Sequence, residues 1–122
     1  MPSEELVISR FQDVVVVNFR NSAILDSTVV ESIGKELYPL VDAQAQRKII
    51  LDFCEVRFFS SSMISVLISM HQKSQAIKGK VVICGLRADL KKVFTTAKLD
   101  KLLNFAPNET EALRQFNVYL EA

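Results

Sequence analysis

Three consecutive serines, Ser60-Ser61-Ser62, open a stretch that reads as a helix running to about Ile77. At 100° per residue, the side chains of Ser61, Ser62, Ser65, Ser69 and Gln72 fall within one arc of about 100°. Met63, Ile64, Val66, Leu67, Ile68, Met70 and Ile77 take roughly the remaining 200°, whereas a surface helix on a sheet needs an apolar face of only about 100°. The excess means either deep burial or a second contact surface. The polar arc carries small hydroxyls where an exposed helix usually carries Lys and Glu, so another surface can approach it closely. Two uses fit these residues: Ser60, Ser61 and Ser62 cap the helix, or the hydroxyls meet a partner. First-turn serines also lie where unsatisfied N–H groups and the helix dipole favour negative charge. A phosphate there gains charge-assisted hydrogen bonds, while its bulk and roughly two negative charges repel anything docked on the hydroxyls.

Other chemistry finds little support. His71 is the only histidine, and beside Met70 and Gln72 in a helix it reads as a surface or boundary residue. No serine sits in a GxSxG elbow. Gly34, Gly79 and Gly85 stand too far apart to cradle a phosphate. Cys54 and Cys84 lie in the apolar runs LDFCEV and VVICGL without a CxxC or a neighbouring histidine. They read as small hydrophobes of two strands, not as a disulfide or a metal pair. No catalytic residue, metal ligand or cofactor site is expected.

Charge narrows the partners. With 15 basic and 14 acidic residues the net charge is +1, and the densest basic stretch (Lys91, Lys92, Lys98, Lys101) is diluted by Asp89 and Asp100. That reads as a solvated helix face, so no nucleic-acid partner is expected. The absence of a signal peptide or of an apolar run near ~18 residues predicts a soluble, cytoplasmic protein without direct membrane insertion.

The elements that must position the serines follow from periodicity. The 122 residues make about one domain, and 49% hydrophobic content with 3 Gly and 3 Pro allows one core over residues 1–122. Leu6 to Ile8 and Val14 to Phe19 read as an antiparallel hairpin turning at Phe11-Gln12-Asp13. The unbroken Val14–Val17 run suggests a strand covered on both faces. After a loop over 21–25, Asp26-Ser27 starts a helix on Val29, Val30, Ile33, Leu37, Leu40 and Val41, with Pro39 marking a late kink or early stop. Lys48 to Phe53 is a strand before the serine helix, which Lys78-Gly79 closes. Lys80 to Cys84 is a strand, and Arg87 to Ala97 a helix with Leu90, Val93 and Phe94 inward. Leu102 to Phe105 is a short strand, and Thr110 to Leu120 a helix through Leu113, Phe116, Val118 and Leu120. The order predicts an α/β fold: a single-layer mixed, mostly parallel sheet of roughly four or five strands with about four helices.

From Lys48 to about Leu113 the sequence resembles the STAS family, the bacterial anti-sigma factor antagonists and their relatives. The residues that carry the likeness are KIILDFCEVRFFSSSMISVLISMHQKSQAIKGKVVICGLRADLKKVFTTAKLDKLL. Ser60-Ser61-Ser62-Met63 stands where the family has Asp-Ser-Ser/Thr-Gly. AIKGKVVICGL and LKKVFTTAKL hold the places of its following strand and helix motifs, and Ile24-Leu25-Asp26 resembles its Gly-x-Leu-Asp without the glycine. The resemblance implies a non-enzymatic domain that binds an anti-sigma factor with serine-kinase activity and releases it when phosphorylated. By position Ser61 is the phosphoacceptor, with Ser62 as the alternative, and Asp26 shares the corner. The docking surface would comprise Asp26, Ser60, Ser61, Ser62, Met63, Ser65 and Ser69. Ser60 removes the family's carboxylate from beside Ser61, and Met63 adds bulk where a kinase would approach. The alternative that the resemblance carries is an unphosphorylated accessory subunit of an ABC-type lipid transport system. A nucleotide or other small-ligand sensor ranks below both, and a homodimer is compatible with each.

Overall fold

Three neighbouring stretches of branched side chains build the centre of a five-stranded sheet. The computed structural model describes residues 6–119. The strands are β1 (Leu6–Phe11), β2 (Val14–Phe19), β4 (Lys48–Asp52), β6 (Lys80–Cys84) and β7 (Asn104–Ala106). They lie in that order, β1 antiparallel to β2 and the others parallel. A separate two-residue ladder joins β3 (Ala23–Ile24) to β5 (Phe58–Phe59). The helices are α1 (Ser27–Asp42), α2 (Ser61–Ala76), α3 (Ala88–Thr96) and α4 (Glu109–Arg114).

The alternation of side chains across the pleat sends Val15, Val17, Ile49, Leu51, Val81 and Ile83 into the larger core with α1, α2 and α3. Val14, Val16, Ile50, Val82 and Cys84 face the other way, under Ala112, Leu113, Phe116 and Val118. Helices on both faces explain why the valine run has no polar alternation. Five phenylalanines continue the larger core as a line of ring contacts. Phe19 meets Phe53 at 4.4 Å between centroids, Phe53 meets Phe59 at 6.0 Å, Phe59 meets Phe94 at 5.8 Å and Phe94 meets Phe105 at 5.4 Å.

Several expectations need correction. The hairpin turn is Gln12-Asp13 alone, because β1 stays paired as far as Phe11 opposite Val14. Pro39 sits exposed in the last turn of α1, which runs past it only as far as Asp42. Val93 faces solvent, since Leu90 and Phe94 already fill the inward stripe of the nine-residue α3. α4 ends at Arg114, and Leu120 lies outside the described residues. Lys78, not glycine, takes the left-handed conformation (φ +60°) after α2. Gly79 is required for a different reason: a Cβ there would lie 2.7 Å from the Arg47 carbonyl oxygen.

At the carboxyl ends of the parallel strands, Asp52 is buried beside Asn18 and Cys84 in the strand register. Its carboxylate accepts from Asn18 Nδ2 at 3.1 Å and from the Cys54 backbone N–H at 2.9 Å. Glu109, at the start of α4, has its carboxyl pushed above the usual range, first by burial and then by Asp52. Gly85 turns the chain here at φ +73°, with space for a Cβ closed by Asp52 Oδ1 at 2.8 Å and Cys54 N at 2.9 Å. Gly85→Ala should therefore lower the unfolding free energy by about 2 kcal/mol or more, from left-handed strain plus this contact. A denaturant midpoint unchanged from wild type would contradict that packing.

His71 is the second correction on α2. It is buried, 6% exposed, and its Nε2 has no hydrogen-bond partner. Burial holds its pKa below the ordinary 6.5. Below that pH the unfolded chain binds a proton that the folded chain refuses, so stability is full above 6.5 and declines as pH falls. His71→Leu should flatten the pH dependence of the unfolding free energy between about pH 7 and pH 5. An identical slope in both proteins would show that His71 titrates as freely folded as unfolded.

Candidate protein-docking site

The corner that carries the serines is set by the β3–β5 ladder. Ala23 pairs with Phe58 and Ile24 with Phe59. Arg57 and Phe58 both donate their backbone N–H to the Ser22 carbonyl, at 2.7 and 3.2 Å, and the Ser60 N–H donates to the Ile24 carbonyl at 2.9 Å. The approach to α1 and the approach to α2 thus run side by side, and the two helices begin together. In extended chain, adjacent side chains point to opposite faces, so of Ile24 and Leu25, which follows β3, and of Phe58 and Phe59 in β5, only one each can turn inward. Ile24 is fully buried and Phe59 sits in the line of rings, which leaves Leu25 and Phe58 outward at 60% and 57% exposure.

Both helix starts have extended N-caps, but they differ in chemistry. Asp26 caps α1, its Oδ1 accepting the Thr28 N–H at 2.7 Å. Ser60 occupies the same place on α2 without a side-chain cap bond, and its Oγ is buried with no hydrogen-bond partner. Ser61 and Ser62 are exposed, and neither hydroxyl bonds to another described residue. The capping use of the three serines therefore fails. Ser65 and Gln72 are exposed on the same arc, and Ser69 is half-buried. No acidic residue lies in the first turn of α2.

Met63 does not belong to this surface. It is fully buried, part of the core beneath the helix start. Its exchange for the family's glycine adds core volume, not bulk in the way of a partner. The broad apolar arc is likewise accounted for by burial: Met63, Val66, Leu67 and Met70 are covered, and Ile64, Ile68 and Ile77 are half-covered. Beside the serine arc, Val66 shares an apolar groove of about 400 Å³ with Val30, Gly34 and Tyr38 of α1, rimmed by Glu31 and Lys35. Lys73 ties the two helices below it, bonding Asp42 at 2.8 Å and lying 5.1 Å over the Tyr38 ring.

Sequence reasoning placed Asp26, Ser60, Ser61, Ser62 and Ser65 at this corner and missed Leu25 and Phe58. The Ile24-Leu25 and Phe58-Phe59 pairs held the signal, since adjacent apolar residues in extended chain cannot share one core face.

The arrangement offers exposed hydroxyls beside exposed apolar side chains, a combination suited to binding. His71 makes no hydrogen bond to any hydroxyl. Cys54 is not a strand residue but is exposed in the turn after β4, while Cys84 is buried, and both are unpaired. Burial, followed by the Asp52 charge, raises the Cys54 thiol to about 11 and drives Cys84 upward as well. Neither supplies a thiolate near neutrality. Among the described residues no group of three or more His, Cys, Asp or Glu is placed to hold a metal, and no helix is long and apolar enough to cross a membrane.

Solved structures share this architecture. An anti-sigma factor antagonist from Mycobacterium paratuberculosis matches with a TM-score of 0.81 at 16% identity, over 97% of this chain and 100% of that one. An anti-sigma-factor antagonist (STAS) domain protein from Planctomyces limnophilus matches at 0.79 and 21% identity, over 90% and 95%. The phosphorylated form of the Bacillus cell fate determinant SpoIIAA matches at 0.71 and 20% identity, over 91% and 98%. At these identities the likeness is one of fold. The STAS domain profile itself matches residues 6–112. Sheet order, helix placement and this match together make the chain a member of the STAS domain family.

Proposed function

We propose that this domain is a partner-switching regulator of the anti-sigma factor antagonist kind, acting in the cytoplasm. Its partner is a serine kinase that also serves as an anti-sigma factor, and a phosphate on Ser61 ends the complex. The observation that carries this reading is the exposed, unbonded Ser61 hydroxyl at the first position of a 16-residue helix with no acidic residue in its first turn.

Unmodified, the corner offers small hydroxyls (Ser61, Ser62, Ser65) and, on the two chain segments that lead into α1 and α2, the exposed apolar side chains of Leu25 and Phe58. Such a surface admits close packing, and aromatic anchors supply most of the energy in contacts of this kind. A phosphate on Ser61 is tolerated locally, because the helix N-terminus favours negative charge. The same phosphate places roughly two charges in the middle of the contact, where a desolvated partner cannot neutralise them. Ser60 leaves Ser61 without the family's adjacent carboxylate, and Asp26 is the carboxylate that the ladder brings to the same corner. The fold also occurs in a phosphorylated state in the Bacillus determinant SpoIIAA.

Pull-down from native lysate with wild type, Ser61→Ala and Ser61→Asp, read by mass spectrometry, tests the proposal. A serine kinase should be retained by wild type and Ser61→Ala and fall about tenfold or more with Ser61→Asp. A transport ATPase captured equally by all three would replace this reading with that of a non-switching accessory subunit.

A further inference from the structure

A second cluster lies away from the serine arc, where three loops leave the carboxyl ends of β2, β4 and β6. Arg20 follows β2, Glu55 and Arg57 follow β4, and Arg87 follows β6. Together with Ser22 and Cys54 they line one open, polar pocket of about 490 Å³. Three guanidiniums face a single carboxylate among these lining residues. Arg20 and Arg57 have no ion pair among the described residues, and Arg87 makes only a 3.8 Å contact with Asp89. Arg20 and Arg57 thus lack a counter-ion among the described residues and Arg87 has only a long one, so an anion entering the pocket meets an excess of positive charge.

The loops are held in place without a ligand. Phe53 N–H donates to the Cys84 carbonyl at 2.9 Å, Val56 N–H to Phe53 at 2.9 Å and Arg57 N–H to Ser22 at 2.7 Å. Asp52 fixes the Cys54 N–H from beneath, and Gly85 packs against the same backbone. The backbone that carries the pocket is therefore fixed before binding, which lowers the entropy lost in ordering the loops. Its position outside the carboxyl ends of parallel strands is the general ligand position of open α/β sheets. The exposed cluster at the opposite end of the strands differs, since its Lys48 is already bonded to Asp13 at 2.6 Å.

We propose that Arg20, Arg57 and Arg87 bind a phosphate monoester, the planar guanidiniums forking onto its oxygens and the Ser22 hydroxyl adding a donor. A small phosphate ester and a phosphorylated side chain present the same chemistry. The site shares no lining residue with the Ser61 corner.

The test is an NMR titration of the ¹⁵N-labelled chain with inorganic phosphate, phenyl phosphate and a phosphoserine peptide, with chloride at matched ionic strength as control. The expected result is saturable shifts of the Ser22, Cys54, Arg57 and Arg87 amides. Affinity should drop about tenfold or more in Arg57→Gln and rise about threefold in Glu55→Gln. Preference for phenyl phosphate assigns a small-molecule source, and preference for the peptide a protein one. Shifts that chloride reproduces, that map to Arg10 and Arg47, or that survive Arg57→Gln would overturn the proposal.

Discussion

The arrangement of the candidate docking corner depends on a parallel ladder of two residues per strand. β3 and β5 are too short to stand alone, and each backbone bond between them contributes only about 1 kcal/mol net. Their persistence rests on burial: Ile24 is fully covered, and Phe59 is held edge-on between Phe53 and Phe94. Those contacts connect the residue after β4 with β5 and α3, so the start of α2 is tied to the main core by side chains and to the start of α1 by backbone. The proposed switch requires this rigidity, because a phosphate can then alter what the corner binds without altering its shape.

The same constraint organises the neighbouring loops. Ser22 accepts from Arg57 and Phe58 at one end of the ladder, while Ile24 accepts from Ser60 at the other. The arginine pocket and the serine corner are therefore opposite ends of one clamped segment, with different chemistry at each. Beneath the pocket, the buried Asp52 is stabilised by Asn18 and the Cys54 amide, and the left-handed turn at Gly85 lets the β6 loop pass close to it.

Much of the scaffold was legible because burial imposes a period. The valine run of β2, the KIILD and KVVIC strands and the helical spacing in α1 and α2 each reveal the faces that must be covered. What escaped was decided by neighbours that periodicity does not record. β3 and β5 are two residues long and pair across more than thirty positions, so neither has a pattern of its own. Burial of His71 follows from where α2 lies on the core, and Cys54 became exposed because the chain turns one residue after Phe53. Ser60 was expected to cap α2 from its residue type, yet its hydroxyl makes no bond. At the corner, the serines were readable from type and spacing, whereas Met63 was assigned outward by analogy with a glycine that has no side chain to bury.

Amide hydrogen exchange at Ser60 and Phe58 addresses the central claim most directly, compared between wild type and Ser61→Asp. Both amides should be protected like those of the sheet, and equally so in the two proteins, since the ladder forms the base and the charge lies above it. Exchange at loop-like rates in wild type, or protection lost in Ser61→Asp, would mean that the corner is not a fixed platform. Phosphorylation would then have to act by unfolding it.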